Sequence, residues 1–377
     1  MQLRTIALAA VLAGAASSSA IGQSGVTRVG TIPIPGVPLT SFDISWVDPS
    51  TELYFLADRS NKAVDVFDTA NLKFLRRIDG FVGFTPSPPG VTPAPAGTGT
   101  SFAGPDGVVS TGPSTVWAGD GDSTAKVLDL STNTVVATIS SGGQARVDEM
   151  AFDGRDQLLL AANNADTPPF LTLFDTQTRT VARGKIMVSD ATGEATGIEQ
   201  PAFHNGTGLF YASVPSLGAD PAHGGVAIID TTGSLMSVIP VDNCSPTGLS
   251  VGPGDRLVVG CDEPVTVVIS AIEQKEVARI TEVGGADEVW FNPGDRRYYI
   301  AARNNPATQG GPVLGIIDAE TNQFVGSVPT EPGAHSVAAD PRLNRIFVPI
   351  DAGMDPDPGC TNGCIAVFAS SAPSPTQ

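Results

Sequence analysis

Val64-Asp65-Val66-Phe67-Asp68-Thr69 reads as a short strand that stops at an Asp-Thr turn, and the phrase returns along the chain. Leu171-Thr172-Leu173-Phe174-Asp175-Thr176 repeats it, as do Val226-Ala227-Ile228-Ile229-Asp230-Thr231 and Leu314-Gly315-Ile316-Ile317-Asp318-Ala319. Lys126-Val127-Leu128-Asp129-Leu130 is a variant, and Val265 to Ser270 and Ile365 to Ala369 keep the strand but lose the Asp. Seven copies at a spacing of roughly 40 to 50 residues match the period of propeller blades. A polar turn and another strand follow each copy, as in Thr134-Val135-Val136-Ala137-Thr138-Ile139, so each copy is one arm of a hairpin. The Asp side chain at such a turn accepts backbone N–H bonds from the residues ahead of it. Asp68, Asp129, Asp175, Asp230 and Asp318 are therefore read as turn formers.

A second pair of strands lies upstream of each copy, for example Ile44 to Val47 with Leu53 to Ala57, and Val289 to Phe291 with Arg297 to Ala301. The turns between them are rich in Pro, Gly and Asp, as in Asp48-Pro49-Ser50, Asn292-Pro293-Gly294-Asp295 and Asp340-Pro341-Arg342. Four strands per unit and seven units predict an all-β fold, a seven-bladed β-propeller of four-stranded blades. No blade can bury both faces alone, so the ring must close. The last repeat ends near Phe368 one strand short, and Val26 to Pro35 is a lone strand ahead of the first repeat. The N-terminal strand is expected to complete the last blade, giving a propeller over residues 26–370 and a disordered tail over 371–377.

Composition agrees. The 377 residues include 42 Gly and 31 Pro, the profile of short strands and turns. Lys and Arg number 21 against 39 Asp and Glu, a formal charge of -18. Such a field repels nucleic acid and anionic membranes and attracts cations. Residues 1–20 read as a signal peptide: Arg4 supplies the basic start, Thr5 to Ala16 the short apolar run, and Ser17-Ser18-Ser19-Ala20 the small residues for cleavage. The mature protein is expected to be periplasmic or secreted, without a membrane span, and monomeric. Four Cys in an exported chain imply disulfides. Of the three possible pairings, Cys244–Cys261 and Cys360–Cys364 are favoured, because each pair is close in sequence and falls at one edge of one blade.

Leu53-Tyr54-Phe55-Leu56-Ala57-Asp58, Val64 to Thr69 and Ile78-Asp79-Gly80 resemble the YVTN-repeat propellers, exported and surface proteins of bacteria. The resemblance covers most of the mature chain and implies the seven-bladed fold rather than one function. The chain departs from it in a long Pro/Gly/Thr loop, Phe84 to Gly104, between the first two blades.

In a propeller the first strand of every blade lines the central channel, and the loop entering it opens on one face. Aligning those strands puts Asp43, Asp106, Asp148, Glu199, Thr247, Asp287 and His335 at one repeat position, the channel mouth. Acids that converge on an axis repel, and must be neutralised by cations or take up protons. Oxygen ligands suit a hard ion, so Ca²⁺ (or another divalent cation) is the expected cofactor, with Asp43, Asp106, Asp148, Glu199, Asp287 and His335 as the candidate ligand set. A channel of solvated, hydrogen-bonded acids is the alternative. Arg59 and Arg303 stand among the loops on the same face and could bind an acidic group or pair with these acids.

The mixture of Asp, Glu and Asn is similar in residue type to the gluconolactonase and senescence-marker propellers. That likeness implies an axial divalent metal and hydrolysis of lactones or phosphotriesters, although those enzymes have six blades. Gly-x-Ser-x-Gly, Walker and His-Glu-x-x-His motifs are absent, and three His exclude a four-His iron site. His204 and His223 are expected at the surface, and Trp46, Trp117 and Trp290 between blades. Two functions follow as expectations. One is a propeller that offers a face to a protein, glycan or small-molecule ligand, with an axial cation. The other is a metal-dependent hydrolase of the lactonase or esterase class.

Overall fold

The computed structural model describes residues 24–83, 103–305 and 310–371. The expected signal peptide, most of the loop 84–104 and the tail beyond Ser371 lie outside the described residues. Seven four-stranded antiparallel sheets stand as blades around one axis. Blade one is β2 (Ser45–Asp48), β3 (Leu53–Asp58), β4 (Ala63–Asp68) and β5 (Lys73–Asp79). Blade two is β6 (Val108–Gly112), β7 (Thr115–Asp120), β8 (Thr124–Asp129) and β9 (Thr134–Ser140). Blade three is β10 (Met150–Asp153), β11 (Leu158–Asn163), β12 (Phe170–Asp175) and β13 (Thr180–Ile186). Blade four is β14 (Pro201–His204), β15 (Leu209–Val214), β16 (His223–Ile229) and β17 (Leu235–Asp242). Blade five is β18 (Pro246–Val251), β19 (Arg256–Cys261), β20 (Thr266–Ser270) and β21 (Lys275–Ile280). Blade six is β22 (Val289–Asn292), β23 (Arg297–Asn305), β24 (Gly311–Asp318) and β25 (Gln323–Pro329). Blade seven joins β26 (Ala338–Asp340), β27 (Arg345–Ile350) and β28 (Cys364–Ser370) to β1 (Val26–Pro33).

The turn aspartates behave as their chemistry requires. Oδ1 of Asp68 accepts from the backbone N–H of Ala70 and Asn71, that of Asp175 from Gln177 and Thr178, and that of Asp318 from Glu320 and Thr321. Four residues after the aspartate the chain turns left-handed, at Leu72, Asn133, Arg179 and Asn322, with φ between 54° and 58°. A positive φ at that point closes a type I turn into a bulged hairpin. The matching bulge is present in the outer strand pair of each of these blades, as between Val66 and Phe67.

The hydrophobic core lies between blades. Phe55, Val64 and Val66 of the first blade pack on Val108, Val116 and Leu128 of the second. Tyr54 and Phe67 of the first meet Phe347, Ile365 and Val367 of the seventh, so side chains close the ring as well as strands do. Near the axis the blades crowd. A Cβ on Gly107 would lie 2.3 Å from the Asp148 carbonyl oxygen, and one on Gly248 2.7 Å from that of Asp287. Glycine lets neighbouring first strands approach there.

Closure follows the expected route. β1 runs antiparallel to β28, from Val26 opposite Ser370 to Pro33 opposite Cys364. Ser371, the first residue assigned to the tail, still bonds Gly25 through its backbone N–H at 2.8 Å. Cys244 and Cys261 are bonded within blade five, and Cys360 and Cys364 bond across the loop that enters β28. One surface expectation is corrected. His204 ends β14 and is 4% exposed, because its ring fits a buried turn: it accepts from Thr207 N–H at 3.0 Å and lies 3.1 Å from the Gly254 carbonyl.

Two outcomes follow. Removal of residues 26–33 strips β28 of its partner and leaves an open edge, so light scattering should find multimers or aggregate in place of a monodisperse ring. Replacing Cys244 and Cys261 together by Ser opens a 17-residue separation. Urea denaturation should register a loss of about 2–4 kcal/mol.

Candidate functional site

The residues aligned from sequence do share one position. Asp43 N–H donates to the Ala57 carbonyl, Asp106 to Gly119, Asp148 to Ala162, Glu199 to Ser213 and Asp287 to Ala301. In each blade a backbone bond between the loop into the first strand and the end of the second therefore sets the acid at the same height. Thr247 takes another part: its hydroxyl lies 3.0 Å from the Ala286 carbonyl and 3.1 Å from that of Gly260, tying blade five to blade six.

Arginines stand among the acids. Arg59 is bonded to Asp43 at 2.5 Å and through Nε to Asp106 at 2.9 Å, with its side chain 12% exposed. Arg146 lies 2.9 Å from Asp148 and donates through Nε to Asn164 at 3.0 Å. Asn164 in turn donates to Glu199 at 3.3 Å. Arg303 holds Asp287 at 2.6 Å. His335 lies 3.6 Å from Asp43 through Nε2, donates through Nδ1 to the Gly333 carbonyl at 2.6 Å, and stacks on Phe42 with ring centroids 4.5 Å apart. The six candidate ligands thus divide. Asp43, Asp106 and Asp148 each offer a carboxylate oxygen within 4.8 Å of the others. Glu199, Asp287 and His335 border this cluster and hold partners of their own.

Compensation is incomplete. Oδ2 of Asp106 is buried and without a hydrogen-bond partner. Burial opposes ionisation of Asp43, but Arg59, and then the bond to His335, hold its carboxyl well below the usual range. Burial raises Asp106 well above that range despite Arg59, and lifts Asp148 to about 7 against the pull of Arg146. Glu199 rises to about 8, through burial and then the charges of Asp148 and Asp287. Burial works against a charged His335, but Asp43 and Asp287 carry it above its ordinary value. Such a mouth can hold protons, exchange them for a cation, or bind a ligand that matches both signs of charge.

Arg146 was missing from the sequence-based set, and the partners of Arg59 and Arg303 were left open. A spacing could have found two of them. Arg59 follows Asp43 by 16 residues, and Arg303 follows Asp287 by 16, the length of one inner hairpin. Arg146 enters from the loop before its own blade, where no repeat position marks it. Trp117 is fully buried between blades as expected; Trp46 and Trp290 also pack against inter-blade clusters, but they are half-buried and face the channel. His223 is partly exposed between Asp190 and Asp242, at 2.8 and 2.7 Å.

No protein-family model and no curated protein matches the chain. Among solved structures, hydrazine synthase of Kuenenia stuttgartiensis is similar, with a TM-score of 0.69 and 14% identity over 90% of this chain and 97% of that one. A likeness at that identity is one of fold, and it agrees with the seven-bladed ring.

Two measurements test the electrostatics. Arg59→Ala leaves two buried carboxyls without their shared partner and should cost about 3–5 kcal/mol in urea denaturation at neutral pH. Adding Asp106→Asn should recover part of that. Asp148 and Glu199 hold protons at higher pH in the ring than in the unfolded chain, so they make stability fall as pH rises from their ordinary values, 3.8 and 4.5, toward about 7 and about 8. Glu199→Gln should flatten that slope between roughly pH 4.5 and 8. An unchanged slope would contradict the raised carboxyl.

Proposed function

We propose that the protein is an exported binding propeller whose channel mouth takes up a hard divalent cation between Asp43, Asp106 and Asp148. The face around that mouth would meet a protein, glycan or small ligand. The observation that carries the reading is the convergence of three carboxylates within 4.8 Å, one of which keeps a buried oxygen without a partner. Oxygen donors of this kind suit Ca²⁺, which accepts irregular geometry and completes its shell with water. Arg59 engages Oδ1 of Asp106, which leaves Oδ2 to the ion. Asn164 and Glu199 stand next along the mouth as further oxygen ligands. Two disulfides favour an oxidising compartment. Among the described residues no helix is long and apolar enough to cross a membrane.

Calorimetric titration of EDTA-treated protein with Ca²⁺ tests the reading. Binding should raise the melting temperature, with about 2.7 kcal/mol of stabilisation at a hundredfold excess over Kd, and acid should weaken it by protonating the ligands. Asp106→Asn should lower affinity at least tenfold, yet be no less stable than the parent in EDTA. Absence of divalent binding would overturn the proposal. Calcium-dependent turnover of lactones, aryl esters or phosphotriesters would replace it with the hydrolase reading.

A further inference from the structure

One residue deeper than the mouth, the channel changes character. Glu149, Gln200 and Glu288 occupy the next position, one residue ahead of three first strands. Glu288 is satisfied: Oε2 accepts from the Ser336 hydroxyl at 2.6 Å and from Val337 N–H at 2.8 Å. Gln200 is satisfied too, its Oε1 accepting from Leu249 N–H at 2.6 Å. Glu149 is not. Its side chain is buried, the residue 6% exposed, and Oε2 has no hydrogen-bond partner. The charges acting on it are all acidic, from Asp148, Glu199, Glu288 and Asp287. The arginines of the mouth do not line this tier.

Glu149 and Glu288 border a cavity of about 230 Å³ in the channel. Its walls are aromatic. Trp46 and Trp290 meet there edge to face, centroids 4.9 Å apart, although they belong to blades one and six. Phe152, Phe203 and Phe291, all half-buried, add to the lining, and aliphatic side chains such as Met150, Leu249 and Val289 share it. No Lys, Arg or His lines the cavity among the described residues. An apolar enclosure with a few convergent polar groups is the usual form of a small-molecule site. Here the orphan group is a carboxyl in a field of acids, and the indole faces add attraction for positive charge.

We propose that this chamber binds a small organic ammonium ion, its N–H donating to Glu149 and its compact apolar body lying against Trp46 and Trp290. The volume equals roughly eight waters at about 30 Å³ each, which admits an aryl-ethylammonium and excludes a peptide or a sugar chain. The bound N–H supplies the hydrogen bond that Oε2 of Glu149 lacks. This site is independent of a metal at the mouth.

Phenethylammonium is the probe, titrated calorimetrically in EDTA, with 2-phenylethanol and 3-phenylpropionate as neutral and anionic controls. The amine should bind at least tenfold tighter than the alcohol and change tryptophan fluorescence. Glu149→Gln should keep the fold and weaken the amine at least tenfold. Ala202→Leu, which adds bulk to the chamber lining, should weaken amine and alcohol alike. Equal binding of alcohol and amine, an amine that binds Glu149→Gln unchanged, or no binding of the amine at millimolar concentration would each overturn the proposal. Because EDTA is present throughout, failure here leaves the calcium reading standing, and the reverse also holds.

Discussion

Seven strands converge on one axis, and five of them deliver a carboxylate to the same height. That convergence is the constraint to which the rest of the mouth responds. Like charges a few ångströms apart in a buried ring cannot all remain ionised without partners. The chain answers with guanidiniums drawn from elsewhere in the blades: Arg59 and Arg303 from the far end of the inner hairpins, Arg146 from a loop between blades. Asn164 extends the network by accepting from one partner and donating to the next. What remains uncompensated includes one oxygen of Asp106 and one of Glu149.

The two tiers of the channel illustrate how a repeat supports different chemistry at adjacent positions. The mouth position is polar nearly everywhere and bonded through its backbone in the same way in five blades. The position below it has diverged, to Gly107 and Gly248 where strands crowd, to Glu149, Gln200 and Glu288 elsewhere. Side chains lower still are large in blades one, three, four and six, and small in blade seven. That asymmetry lets Trp46 and Trp290 touch past a narrow blade and turns a symmetric channel into a one-sided chamber.

The fold was legible in the sequence because its determinants are local. An Asp that accepts from the next two or three N–H groups makes the same turn wherever it occurs, and the repeat advertises it. The mouth was legible for the same reason: an acid in five of the seven blades, at one offset from a recognisable strand. Its charge partners were harder to see. A salt bridge depends on where two loops meet in space, and a lone arginine carries no sign of which acid it reaches. Burial of His204 escaped notice because the turn that encloses it takes a carbonyl from the next blade, at Gly254. The chamber was hidden for a related reason. Trp46 and Trp290 sit at equivalent repeat positions and read as packing residues, and only the small side chain of the intervening blade brings them into the open channel.

The pairing of β1 with β28 also has a consequence in time. The residues that meet there lie as far apart in sequence as 346 positions, between Gly25 and Ser371. A chain that leaves the ribosome in order exposes β1 first and its partner last. Contacts of such separation form slowly, because a long loop must close before they reward it. Until then blade seven stands open on one side with its apolar residues unpaired. The nascent ring is therefore most vulnerable to aggregation and proteolysis at the end of its synthesis, and its lifetime in the open state is set by how quickly the first strand to appear finds the last.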